Sequence, residues 1–231
     1  MLKITRYYPY RITYDIETYM SKDHLPQSTQ KLEFTAKHIL FSVAVCSNVP
    51  GFTAPKCFIT NGSNAELVKT FVSYISDISQ TSSQLMLERY HDVITELDEF
   101  IAKRESIEAI YAEEKFSHSR VYGYRAPHKF KKKFLNYLLS IPVVGFNSQA
   151  YDLNVNKGPL LKHLYQTGKI NYTIKRVNKL QCIETREFRF LDIVNFITPG
   201  FSCDKYLKAF GCTQLKGFFP YDFITDVSKL D

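Results

Sequence analysis

The nine residues Arg11-Ile-Thr-Tyr-Asp-Ile-Glu-Thr-Tyr19 limit the folds open to this chain more than any other stretch. The run is rich in β-branched and aromatic residues, which suit a pleated strand. Strand side chains alternate between two faces, so Ile12, Tyr14 and Ile16 share one face while Asp15 and Glu17 share the other. The first set is apolar and calls for burial. The second sets two like charges side by side, and these repel unless a cation lies between them. Magnesium and manganese take carboxylate oxygens, and a pair of such ions stabilises both oxygens of a phosphodiester displacement. The other reading is an edge strand with a solvated acidic face. These residues alone leave both open.

The rest of the chain supplies the elements around that strand. His38 to Cys46 reads as a buried strand, Asn48-Val-Pro-Gly51 as a turn, and Cys57-Phe-Ile-Thr60 as a third strand stopped by Asn61-Gly62. Strands in quick succession predict an antiparallel meander. Ser63 with Glu66 has capping-box spacing, and Leu67, Phe71, Tyr74, Ile75 and Ile78 follow at helical intervals. A second helical stretch, from Ser83 to about Phe116, reads as an amphipathic hairpin inserted over roughly 83–118. Val121 to Pro127 is expected to be a loop, with a helix over His128–Ser140. Ile141 to Phe146 is a short buried strand. It ends in the polar cluster Asn147-Ser-Gln-Ala-Tyr151-Asp152, and a helix runs from Leu153 to about Tyr165. Polar residues at the carboxyl end of a strand, just before a helix, are where α/β folds place their sites. Three hairpin strands follow (Tyr172–Val177, Gln181–Glu184, Glu187–Leu191), the last ended by Asp192. Ser202 is a cap for a helix to Phe210, closed by Gly211.

Charge and cysteine usage bound the class. Lys+Arg 30 against Asp+Glu 23 gives +7, which favours a polyanionic partner. The excess is uneven: Arg120, Arg125, Lys129, Lys131, Lys132 and Lys133 lie in one segment free of acids. Lys131, Lys132 and Lys133 form either a solvated helix face or a set of phosphate contacts. The cysteines are scattered and show no zinc spacing, which points to a reducing compartment. No run approaches the ~20 apolar residues that span a bilayer, and the start lacks a signal peptide's apolar core. The expectation is a soluble, intracellular protein.

Four blocks then carry a resemblance. Tyr14-Asp15-Ile16-Glu17-Thr18 looks like the first exonuclease motif of family B DNA polymerases, and Val144-Gly-Phe-Asn-Ser-Gln-Ala-Tyr-Asp-Leu-Asn154 like the second. Arg189-Phe-Leu-Asp-Ile-Val-Asn-Phe-Ile-Thr-Pro-Gly200 and Lys216-Gly-Phe-Phe-Pro-Tyr-Asp222 are similar to blocks of the protein-primed branch of viruses, linear plasmids and self-synthesising transposons. The resemblance spans residues 1–231 nearly throughout. It implies an α/β, ribonuclease-H-like mixed β-sheet flanked by helices, with the helical insertion. It implies proofreading: metal-dependent 3′–5′ hydrolysis of single-stranded DNA ends, assisted by two Mg2+ or Mn2+ ions. Asp15, Glu17 and Asp152 match the metal-binding, catalytic carboxylates. Thr18, Asn147 and Tyr151 match positions that grip the strand, and an aromatic ring can stack on any base without reading sequence. The implied partners are a single-stranded DNA 3′ end, a polymerase domain in the same parent chain and a terminal protein primer.

The sequence also departs from that pattern. Ile193-Val194 follows Asp192 where some relatives carry Ser-Leu, so a hydroxyl contact to substrate is missing. The family's third motif, Tyr-x-x-x-Asp, has no match after residue 152, and the palm motifs are absent. The expectation is an N-terminal piece of a longer polymerase, truncated before its third motif and weak as an exonuclease by itself. Two rival readings stay open: a catalytically inactive single-strand-binding module of the same fold, and an unrelated ribonuclease-H-like nuclease acting on RNA.

Overall fold

Strand β1 (Ile12–Ser21) buries Ile12, Tyr14 and Ile16 and leaves Thr13, Asp15 and Glu17 partly open, the alternation its sequence dictates. A computed structural model describes residues 7–22, 25, 27–28, 33–112, 121–150, 152–167, 170–176, 179–214, 216–217, 219–220 and 223–224. Within them, β1 pairs antiparallel with β2 (Lys37–Ser47), which pairs antiparallel with β3 (Lys56–Ile59). This is the expected meander. On its other side β1 runs parallel to β4 (Ile141–Gly145). β4 runs parallel to β7 (Phe188–Asp192), and β6 (Lys179–Thr185) and β5 (Ile170–Arg176) complete the sheet antiparallel. The result is a seven-stranded mixed sheet in the order β3-β2-β1-β4-β7-β6-β5.

Helices α1 (Asn64–Arg89) and α4 (Asp152–Gln166) pack on the sheet and on each other. Their apolar residues, among them Phe71, Ile75 and Leu160, join Ile12, Tyr14, Val43, Val143 and Phe190 in one core. Each fully buried aliphatic or aromatic side chain of this kind contributes roughly 1.5–3 kcal/mol. The Tyr14 ring lies against Phe71 and Phe190, so the acidic strand is anchored from its apolar side. Ser63 caps α1 by accepting the Glu66 N–H at 3.3 Å, as the capping-box spacing requires. Ser202 caps α5 (Cys203–Ala209) in the same way, and Gly211 follows with φ 75°.

Helix boundaries differ from expectation in two places. α1 continues unbroken to Arg89, through the polar stretch Gln80–Gln84, because Ser79 and Ser82 face inward and are buried. The Ser79 hydroxyl donates to the Glu187 carbonyl at 2.9 Å, and the Tyr8 phenol lies 3.0 Å from the Ser82 hydroxyl. The helix gives way at Tyr90, and α2 (His91–Ala112) follows. α3 runs over Val121–Leu139 with Pro127 inside it, where a loop was expected. A proline opposes the helix interior by about 3 kcal/mol, and here packing of α3 on α1 and α2 prevails. Among the described residues, no helix is long and apolar enough to cross a membrane.

Candidate active site

β1 and β4 pair only through Ile12–Val143 and Thr13–Val144. Past Thr13 the two strands separate, and Asp15 and Glu17 stand just beyond the point of separation. A strand pair that opens leaves a crevice at its carboxyl ends, the usual site position in mixed α/β sheets. A cleft of about 300 Å3 lies there, lined by Thr13, Asp15, Phe146, Ile193, Tyr206 and Lys216.

Asp15 and Glu17 share a cation. The Lys216 ammonium lies 3.0 Å from Asp15 Oδ2, 3.3 Å from Asp15 Oδ1 and 3.5 Å from Glu17 Oε1. One ammonium reaching both carboxylates places them on a common face, as the alternation demanded. Lys216 and Asp15 are each 44% exposed on their side chains and Glu17 13%, so the pair opens to solvent at the Asp15 end. In the sequence Lys216 is the first residue of the Lys216–Asp222 block and carries no signal of a role by itself. The block's start is the signal that could have found it.

Asp152 begins α4 and is buried, 4% exposed. Desolvation pushes its carboxyl up to about 7, and the charge of Asp15 adds to the effect. Lys216 opposes it, while Glu17 and Asp192 reinforce it. Asp152 therefore lies within the field of both β1 carboxylates, although they are far apart in sequence. Among the described residues no three His, Cys, Asp or Glu side chains are set close enough to hold an ion together. Donor chemistry nevertheless fits a hard divalent cation in part: the β1 pair already holds a positive charge, and the third acid needs one nearby to ionise.

The expected strand-gripping positions fare differently. Asn147 is exposed, just after β4, and holds φ 57°, in the left-handed region. Thr18 is 2% exposed, and its hydroxyl lies 3.1 Å from His38 Nδ1 beside a β-bulge at Glu17/Thr18. Thr18 continues the buried alternation of Ile12, Tyr14 and Ile16, on the face opposite Asp15 and Glu17. Tyr151 lies outside the described residues. Lys131 is ion-paired with Asp98 of α2, whereas Lys132 and Lys133 are exposed on α3. For Lys131 the helix-face reading is the one its contacts favour.

A further acid sits behind the site. Asp192 ends β7 beside Gly145 of β4 and is fully buried. Its Oδ1 accepts the Asn147 N–H at 2.9 Å and the Val194 N–H at 3.0 Å, and its Oδ2 accepts the Gln149 N–H at 2.9 Å. In the sequence Asp192 ends a strand and falls within the Arg189–Gly200 block, without a role of its own. That an acid ends a buried strand at the sheet's carboxyl edge was the available clue. With both oxygens committed to backbone, Asp192 does not serve as one more open carboxylate. No family model matches the chain, and no curated protein or solved structure matches it.

Proposed function

We propose that this chain is the exonuclease region of a protein-primed family B DNA polymerase, with a ribonuclease-H-like fold, which hydrolyses single-stranded DNA from its 3′ end. The observation that carries this reading is the pair Asp15 and Glu17 sharing one cation at a strand opening, with a buried Asp152 in their field. The mixed sheet, with β1 antiparallel to one neighbour and parallel to the other, supports the fold. The motif blocks support the family.

In this reading Asp15 and Glu17 would hold Mg2+ or Mn2+, with Asp152 as the third acid once an ion draws the site together. Such ions, when bound, would supply a nucleophilic hydroxide and charge neutralisation at the leaving oxygen. The protein's own residues orient the strand. Asn147 presents an amide to sugar or phosphate, and Phe146 and Tyr206 offer apolar surface to a base in the cleft. The Lys216 ammonium occupies the Asp15 and Glu17 oxygens, so a metal ion would compete with it for them.

A second reading has one observation in its favour. The Lys216 ammonium already neutralises Asp15 and Glu17, which suits a module that binds single strands without chemistry. End-labelled single-stranded DNA and RNA, incubated with the 231-residue chain in Mn2+ or in chelator, separate these readings. Slow, metal-dependent shortening of DNA from the 3′ end, lost in Asp15→Ala, is expected. Binding with no shortening in Mn2+ even on prolonged incubation would leave the module, and a preference for RNA would leave the unrelated nuclease.

A further inference from the structure

We propose that Asp192 is a positioning residue: its buried carboxylate ties together the two turns that flank the cleft and so fixes the geometry with which the site engages a strand. This rests on the functional reading above. One turn follows β4 and carries Phe146 and Asn147. The other follows β7 and carries Ile193, in a 3-10 turn over Ile193–Phe196. Phe146 and Ile193 both line the cleft. Oδ1 of Asp192 accepts an N–H from each turn, at 2.9 Å from Asn147 and 3.0 Å from Val194. Oδ2 accepts a second N–H of the first turn, at 2.9 Å from Gln149. A single rigid carboxylate thus spans both lips of the opening.

The local backbone shows why a side chain with two acceptor oxygens suits this position. Asn147 holds φ 57°, in the left-handed region that asparagine tolerates better than most side-chain-bearing residues. The two N–H groups pinned by Asp192, at Asn147 and Gln149, bracket the residue after it. Three N–H donors converging on one fully buried carboxylate make charge-assisted hydrogen bonds, stronger than neutral ones. The same turn leads directly into α4 and its first residue, Asp152, with the Leu153 N–H donating to the Ser148 carbonyl at 2.7 Å. Displacing the turn therefore moves Asn147, Phe146 and the start of α4 together.

Asp192→Asn is the informative change. An amide offers one carbonyl oxygen, which can keep the Asn147 and Val194 N–H groups, and turns an NH2 toward the Gln149 N–H, where two donors then oppose each other. Affinity for a labelled oligo(dT) on the order of 12 nucleotides is measured well below the melting temperature. Ile183→Val, a buried change on β6, serves as the control for stability alone. Asp192→Asn is expected to weaken binding about tenfold, the scale of lost supporting hydrogen bonds around a site, while Ile183→Val leaves it unchanged. Equal weakening in both variants, or none in Asp192→Asn, overturns the proposal. Absence of binding by the unmodified chain overturns the functional reading and this proposal with it. Amide exchange in the unmodified chain gives a second measure that does not depend on the variant folding. The N–H groups of Asn147 and Gln149 should exchange slowly, although Asn147 is surface-exposed. Exchange at the rate of an open turn means that the tie does not exist.

Discussion

Lys216 in the cleft and the buried Asp152 respond to charge in opposite ways. Lys216 bridges Asp15 and Glu17 but is half-exposed, so solvent screens the interaction. Lys216→Met should lower Tm in chelator by about 2 °C, a modest change for a domain of this size. It should also enlarge the Tm gain on adding Mn2+, because ion and ammonium compete for the same oxygens. An unaltered Mn2+ response would separate the lysine from the ion's position. Asp152 behaves conversely. Its folded carboxyl keeps a proton to about pH 7, against 3.8 for an unperturbed one. Between those values the folded state binds more protons than the unfolded state, so stability in chelator falls as pH rises through the window. Thermal melts across it should slope downward for the unmodified chain and flatten for Asp152→Asn. Parallel curves would contradict the burial described.

At the scale of elements, the end of β4 is the tightest joint. A Cβ on Gly145 would lie 2.7 Å from Ser148 Cβ and 3.1 Å from the Tyr14 ring. Gly145→Ala should destabilise the fold by about 1–3 kcal/mol, the range for overpacking. A neutral Tm would mean that the turn yields without cost. On α3, Lys132 and Lys133 point outward while Lys131 is held by Asp98. If the helix contacts phosphate, Lys132→Ala with Lys133→Ala should reduce the slope of log affinity against log salt by nearly two. Lys131→Ala should act instead on how α2 and α3 pack. Strands and caps were legible in the sequence because alternation and Ser63 or Ser202 are local signals. The bounds of α1 and α3 were not. Ser79 and Ser82 look like a break until Glu187 and Tyr8 meet them, and Pro127 reads as a loop until α1 and α2 are in place.

Across the molecule, the acidic strand was readable as half-buried because Ile12, Tyr14 and Ile16 recur at period two, and the core follows that reading. Asp15, Glu17 and Asp152 stood out as residue types. Lys216 and Asp192 could not be assigned, since their partners are set by which strands become neighbours. That neighbour relation also fixes when the cleft can exist. The helices and the β1–β2–β3 meander close short loops, whereas β1 finds β4, and β4 finds β7, only after long intervening segments are brought together. Contacts distant along the chain form late. In refolding, helical circular dichroism should recover first, and the tyrosine emission, to which all sixteen tyrosines contribute, should reach its final value more slowly. The chain has no tryptophan to obscure it. Until that slow step Asp152 is not yet held beside Asp15 and Glu17, so any chemistry that needs all three acids waits for the sheet to close.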